Sequence, residues 1–254
     1  MKNTHITRAP LFLALIFVMP SASSAEPQTK LEQKTTTYSV GLSATRLIYT
    51  PGSTGVSVTI NNPNDFPVLA QSEVSPDDGG SRVPFSVTPP LFRLDAGQQS
   101  RVRIIMTGDS SPKDRESLNW FCVTGIPPEK GDAWDERKDA KNGSATLDVK
   151  VKLRQCIKLL TRPAGLSSTP EAASSELTWY RDAKGVRAMN NSPYFINLKT
   201  ISVGGKSIDA PDYIAPFSSR IYTVSGGTGP ASELKYVVIN DLGGDSAQVT
   251  ARIQ

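Results

Sequence analysis

Residues 147–163 read LDVKVKLRQCIKLLTRP and alternate at period two for most of their length. Leu147, Val149, Val151, Leu153, Ile157 and Leu159 fall on one side; Asp148, Lys150, Lys152, Arg154, Cys156 and Lys158 fall on the other. That pattern describes a long, half-buried β-strand. Strands in compact domains usually run to about 5–6 residues, so this one either overhangs its sheet or forms its edge. An apolar overhang invites aggregation, and a protein that keeps one uses it to pair with a partner. The plainer reading is a long core strand with charged outer residues, and the pattern taken alone favours it.

Upstream, the chain reads as short strands with turn punctuation. Residues 26–36 are polar, lack a period and are expected to begin disordered. Residues 37–49 alternate, with Tyr38, Val40, Leu42 and Ala44 on one face. Further strands are expected at 56–60, 68–74, 85–87, 91–94, 101–106 and 118–124. Pro51-Gly52-Ser53, Asn61-Asn62-Pro63-Asn64-Asp65 and Asp95-Ala96-Gly97 supply turns, and residues 129–144 form a charged loop. Short strands at roughly ten-residue spacing, without a helical period, predict an antiparallel immunoglobulin-like sandwich. Arg162-Pro163-Ala164-Gly165 reads as a joint. A second set of strands follows at 177–180, 186–190, 195–203, 207–208, 220–224, 234–240 and 247–253. The fold expected is all-β, with two immunoglobulin-like β-sandwich domains at 26–162 and 163–254 and a cleft between them. No internal repeat links the halves.

The N-terminus reads as an export signal. Lys2 and Arg8 precede the apolar run LFLALIFVM at 11–19, and Ser23-Ser24-Ala25 offers small residues for cleavage. The run is too short to span a bilayer, and no later stretch is long and apolar enough, so a soluble, exported mature chain of ~229 residues is expected. The net charge of +4 drops to +2 without Lys2 and Arg8, and the basic residues are scattered, which argues against nucleic acid. The one histidine, His5, leaves with the signal, and with it every imidazole mechanism and His-ligated zinc. Cys122 and Cys156, in an oxidising compartment, most simply form one disulfide. It would close a loop of 34 residues, worth ~4 kcal/mol in the chain-entropy account.

Enzymatic constellations are weak. Gly204-Gly205-Lys206-Ser207 ends like a phosphate loop, but Thr200 occupies the position of the required first glycine, so a hairpin turn is the better reading. Gly226-Gly227-Thr228-Gly229 lacks the following lysine. Asp114-Arg115-Glu116 offers two carboxylates around an arginine with no geometry for hydrolysis, and Ser110 with Lys113 flanks a proline in a polar loop. No catalytic residue, metal site or cofactor is expected. Two isolated charges matter more: Arg46 interrupts one apolar strand and Lys158 another. Each alone reads as a solvated strand charge; together, in a cleft between two sandwiches, they suit a carboxylate.

Six segments, in this order and spacing, carry a resemblance. They are Thr45-Arg46 with the following tyrosine, Thr88-Pro89-Pro90-Leu91-Phe92-Arg93-Leu94, Asp114-Arg115-Glu116-Ser117-Leu118, Gly125-Ile126-Pro127-Pro128, Ile157-Lys158-Leu159-Leu160-Thr161-Arg162-Pro163 and Ile239-Asn240-Asp241-Leu242-Gly243-Gly244. The chain resembles the periplasmic chaperones of the chaperone–usher pathway, L-shaped two-domain proteins that escort pilus subunits. The long loop, the extended N-terminal strand and Trp120-Phe121-Cys122 with Cys156 resemble the long-loop (FGL) subgroup, which serves thin, capsule-like or non-pilus adhesin fibres.

The resemblance implies that Val149, Val151 and Leu153, with Leu147 at the far end, enter the open groove of a fimbrial or adhesin subunit as a donor strand. It implies that Arg46 and Lys158 hold the subunit's C-terminal carboxylate. Glu116, Arg162 and Asp241 would form a charged triad between domains, and the Cys122–Cys156 disulfide would stiffen the strand pair beside Lys158. It further implies a periplasmic location, delivery to an outer-membrane usher, no nucleotide and no membrane insertion, and it leaves self-association of the free chaperone open. A secreted fibre subunit or adhesin is the alternative. It fits less well, because such a subunit would be one incomplete domain with an N-terminal donor segment. A secreted β-sandwich hydrolase lacks both histidine and an acid pair.

Overall fold

The computed structural model describes residues 32–77, 83–108, 111–129, 131–132, 146–209 and 211–254. The expected signal at 1–25, Ser110 and most of the loop at 129–144 lie outside the described residues. The first half of the chain contributes β1 (Glu32–Tyr38), β2 (Gly41–Leu42), β3 (Arg46–Tyr49), β4 (Val56–Asn61), β5 (Val68–Pro76), β6 (Phe85–Thr88), β7 (Leu91–Leu94), β8 (Gln99–Met106), β9 (Ser117–Ile126), β10 (Thr146–Lys152) and β11 (Arg154–Thr161). A five-stranded sheet in the order β3-β11-β9-β5-β7 and a four-stranded sheet in the order β2-β4-β8-β6 enclose one core. Leu47, Val58, Ile60, Val102, Ile104, Phe121, Ile157 and Leu159 fill it, each from the inward side of an alternating strand.

The second half contributes α1 (Pro170–Ser175), β12 (Thr178–Asp182), β13 (Gly185–Asn190), β14 (Leu198–Val203), β15 (Lys206–Asp209), β16 (Ser218–Thr223), β17 (Glu233–Val238) and β18 (Val249–Arg252). Its sheets run β12-β13-β16 and β15-β14-β17-β18. They enclose a separate core around Trp179, whose ring lies 5.2 Å from that of Tyr236. The two-layer, all-β architecture expected from the sequence is present, and Gly204-Gly205 is the two-residue turn joining β14 to β15.

Several local expectations change. The alternating stretch is two strands that part at Leu153. β11 is a core strand, antiparallel to β9 and parallel to β3. β10 leaves the sandwich and, among the described residues, pairs in parallel with β1 alone. The overhang is therefore a two-stranded arm rather than a lone strand; its other half is β1, whose residues 32–36 fall in the stretch expected to begin disordered and whose residues 37–38 fall in the alternating strand expected after it. The parting is held by hydrogen bonds: Leu153 N–H donates to the Tyr38 carbonyl at 3.2 Å, and Gly125 N–H donates to the Leu153 carbonyl at 3.0 Å. Gly125 permits this crossing, because a Cβ there would lie 2.4 Å from the Tyr38 carbonyl oxygen.

The single alternating strand expected at 37–49 is divided among the end of β1, β2 and β3, although Tyr38, Val40, Leu42 and Ala44 all pack on the core. Strands β7 and β8 flank the turn after Leu94 but belong to opposite sheets. The strand expected at 195–203 starts only at Leu198, with Ile196 making an isolated bridge to Ile214. The short helix α1 was not anticipated. Thr169 caps it, accepting from the Ala172 N–H at 3.2 Å, and Pro170 opens it where its missing N–H is harmless. The Tyr236 hydroxyl donates to the Ser174 carbonyl at 2.6 Å and pins the helix to the core.

Candidate functional site

Lys158 on β11 is the direct ladder partner of Arg46 on β3 and of Trp120 on β9. Directly paired residues share a face, so Trp120, Lys158 and Arg46 form a row across the sheet, on the side opposite the core residues Phe121, Ile157 and Leu159. That row faces the second half of the chain. The Lys158 ammonium donates to Asn197 Oδ1 at 2.6 Å and lies 4.6 Å from the centre of the Tyr213 ring and 5.9 Å from that of Trp120. Arg46 Nη1 donates to the Ile239 carbonyl at 3.2 Å, and its buried Nε has no hydrogen-bond partner among the described residues.

Neither cation makes an ion pair among the described residues. Burial pushes the Lys158 ammonium down to about 8 from an ordinary 10.5; Arg46 and Arg220 add to the depression, while Asp212 and Asp77 oppose it. Burial also lowers Arg46, against the attraction of Asp241. Two desolvated cations side by side are unfavourable unless an anion joins them.

Two further sets of contacts across the cleft surround this row. In the first, Arg162 Nε donates to Glu116 Oε1 at 2.6 Å, and its Nη1 and Nη2 donate to the two Asp241 carboxylate oxygens at 2.6 and 2.8 Å. The other Glu116 oxygen accepts from the Phe195 N–H at 2.8 Å. Burial raises the Glu116 pKa, against the pull of Arg162. Burial also disfavours the Arg162 charge, but the hydrogen bonds and charges of Asp241 and Glu116 outweigh it and raise its pKa. Nearby, Gly243 packs so closely on Thr45 that a Cβ would meet Thr45 Oγ1 at 2.2 Å, and its φ of +85° suits glycine. In the second, Asp77, just beyond β5, accepts from the Trp120 indole N–H at 2.8 Å and from the Tyr213 hydroxyl at 2.6 Å. It thereby steadies both rings that flank Lys158.

The structure thus brings together Arg46 with Lys158, and Glu116 with Arg162 and Asp241. Cys122 and Cys156 are ladder partners joined by the disulfide, two residues from Trp120 and Lys158 respectively. Leu147, Val149, Val151 and Leu153 lie along the arm instead. Leu147 and Leu153 are 46% and 45% exposed, and Val149 and Val151 half-buried. No strand among the described residues pairs with the second edge of β10. Asp77, Asn197 and Tyr213 were not anticipated. They are neutral or singly charged residues in loops, and no local pattern marks them.

A paired-sandwich protein with a cationic cleft and an apolar arm defines a class, that of the pilus-assembly chaperones. Residues 39–167 match the family model described as "Pili and flagellar-assembly chaperone, PapD N-terminal domain". Residues 172–250 match "Pili assembly chaperone PapD, C-terminal domain". The chain belongs to this family. It is 44% identical over 209 residues to chaperone protein AfaB of Escherichia coli, covering 82% of each chain. The crystal structure of the E. coli chaperone DraB matches at a TM-score of 0.75 and 41% identity, covering 88% of this chain and 100% of that one. The structure of Salmonella enterica SafA pilin in complex with the SafB chaperone matches at 0.76 and 37% identity, covering 87% of this chain and 100% of that one.

Proposed function

We propose that this chaperone works in the periplasm, captures fimbrial or adhesin subunits by adding β10 to an incomplete subunit sandwich, and passes them to an outer-membrane usher. The observation that carries the reading is the register. Arg46 and Lys158 are neighbours in one row, and five residues back along the same chain Leu153 begins the apolar series that continues through Val151, Val149 and Leu147, about 17 Å away at ~3.3 Å per strand residue. A subunit carboxylate held at the row fixes which apolar side chain meets which pocket. A slip of one residue would turn Lys150 and Lys152 into the groove. Three or four aliphatic side chains at about 1.5–3 kcal/mol each supply much of the affinity, and the edge of β10 that pairs with no strand among the described residues supplies the ladder.

The units in this reading are 26–162 and 163–254, and the Glu116–Arg162–Asp241 triad fixes the angle between them. Release follows when a better-fitting strand of the next subunit displaces β10 at the usher. The 16 residues of the loop at 129–144 support membership of the long-loop subgroup.

The test is periplasmic co-expression with the subunit encoded beside the gene, followed by pull-down with wild type, Arg46→Ala and Lys158→Ala. A one-to-one complex is expected for wild type. Each variant is expected to lose roughly 10- to 100-fold in affinity, as for removal of a charged hydrogen bond. Equal retention of the subunit by all three folded proteins would refute the carboxylate anchor.

A further inference from the structure

The pocket beside Lys158 is larger than a carboxylate requires. It holds roughly 470 Å³, whereas a carboxylate occupies about the space of one or two waters, at ~30 Å³ each. Leu198, Pro211, Ile239 and the Tyr213 ring give it apolar walls, and Thr200 on β14 completes one side. Its other charged lining residues are already paired, Lys199 with Asp245 and Asp212 with Arg220. Lys158, by contrast, faces a neutral amide oxygen and an aromatic ring. The lining therefore asks for one negative charge and a substantial apolar group.

In a chain terminus these two groups leave the same Cα. We propose that the pocket receives the side chain of the subunit's last residue, and that it selects subunits ending in a large apolar or aromatic residue. This rests on the carboxylate reading given above. A basic terminal side chain would meet Lys158 and Lys199, and a glycine would leave the apolar walls wet. The rim carries no unpaired acid among the lining residues to reward a cation.

The probes are acetyl-Gly-Gly-Phe and acetyl-Gly-Gly-Gly, each as free acid and as C-terminal amide. They are titrated into the ¹⁵N-labelled mature chain while the Asn197 side-chain amide is followed by NMR. The Phe acid is expected to bind roughly tenfold more tightly than the Gly acid, and amidation to weaken both. In Thr200→Trp, which fills the pocket from β14, the preference for Phe is expected to disappear. Equal affinity of the two acids, with a loss on amidation, would overturn the pocket assignment and leave the anchor standing. Retention of the Phe preference in Thr200→Trp would overturn it too. Indifference to amidation, or no shift with either acid, would remove the carboxylate reading and this inference together.

Discussion

At Lys158 a charge that the proposed capture requires is held in a place that disfavours it. Burial lowers its pKa to about 8, and a carboxylate partner raises it again, so capture takes up a proton wherever the free amine is neutral. Affinity for subunit is expected to hold steady below pH 8 and to fall above it, by up to about tenfold per pH unit. Calorimetry at pH 7 and pH 9 would show the difference, and Lys158→Arg would flatten it, because arginine keeps its proton throughout. Stability moves the other way. The unfolded chain holds this proton up to about 10.5 and the folded chain only to about 8, so this group favours folding increasingly between those values. Relative to Lys158→Arg, the melting temperature of wild type is expected to rise over that window, and a relative fall would contradict the assignment. Arg46 and Lys158 were both legible in the sequence as lone cations interrupting apolar strands. Their meeting in a cleft was also expected; the parallel β3–β11 register that makes them direct neighbours was not, since it leaves no mark in either segment. Asn197, Tyr213 and Asp77 were invisible for a related reason: their roles come from loops that meet only after folding.

The arm, unlike the cleft, owes little to the stability of the rest. Val149 and Val151 belong to neither hydrophobic core. Val151→Asp is therefore expected to abolish subunit capture, by 100-fold or more, while shifting unfolding by less than about 1 kcal/mol. Pull-down and thermal melts on the same preparation would check both halves. The period-two pattern revealed this element clearly but not its division, because parity runs unbroken through Leu153 and no glycine or proline marks the break. Composition hid the partner strand β1, which only the resemblance offered as an extended N-terminal strand. EQKTTTY has no apolar alternation, and its strand character rests on the β-branched threonines and on β10 beside it. The helix α1 was readable in hindsight from Thr169-Pro170-Glu171, a cap, a first-turn proline and a first-turn acid.

The two sandwiches meet at the Glu116–Arg162–Asp241 cluster, which on the proposed reading sets the angle between them. Glu116 is buried, with its side chain only 1% exposed, and Arg162 neutralises it. Arg162→Ala leaves that carboxylate buried and unpaired, and a loss of about 3–5 kcal/mol is expected, seen as a lower melting temperature and a broader solution-scattering envelope. Asp77→Asn keeps an acceptor but loses the charge, and is expected to cost less than about 1 kcal/mol, as befits an exposed contact. The parallel pairings carry one more consequence, for the order of events during synthesis. Both the arm and the anchoring row join strands from the beginning of the first sandwich to strands at its end, β1 with β10 and β3 with β11. Contacts between segments so distant in sequence form late, after the loop between them has closed. A nascent or half-folded copy therefore has neither grip nor register, and cannot seize an immature client while immature itself. Competence to assist folding arrives only when the assistant has finished its own.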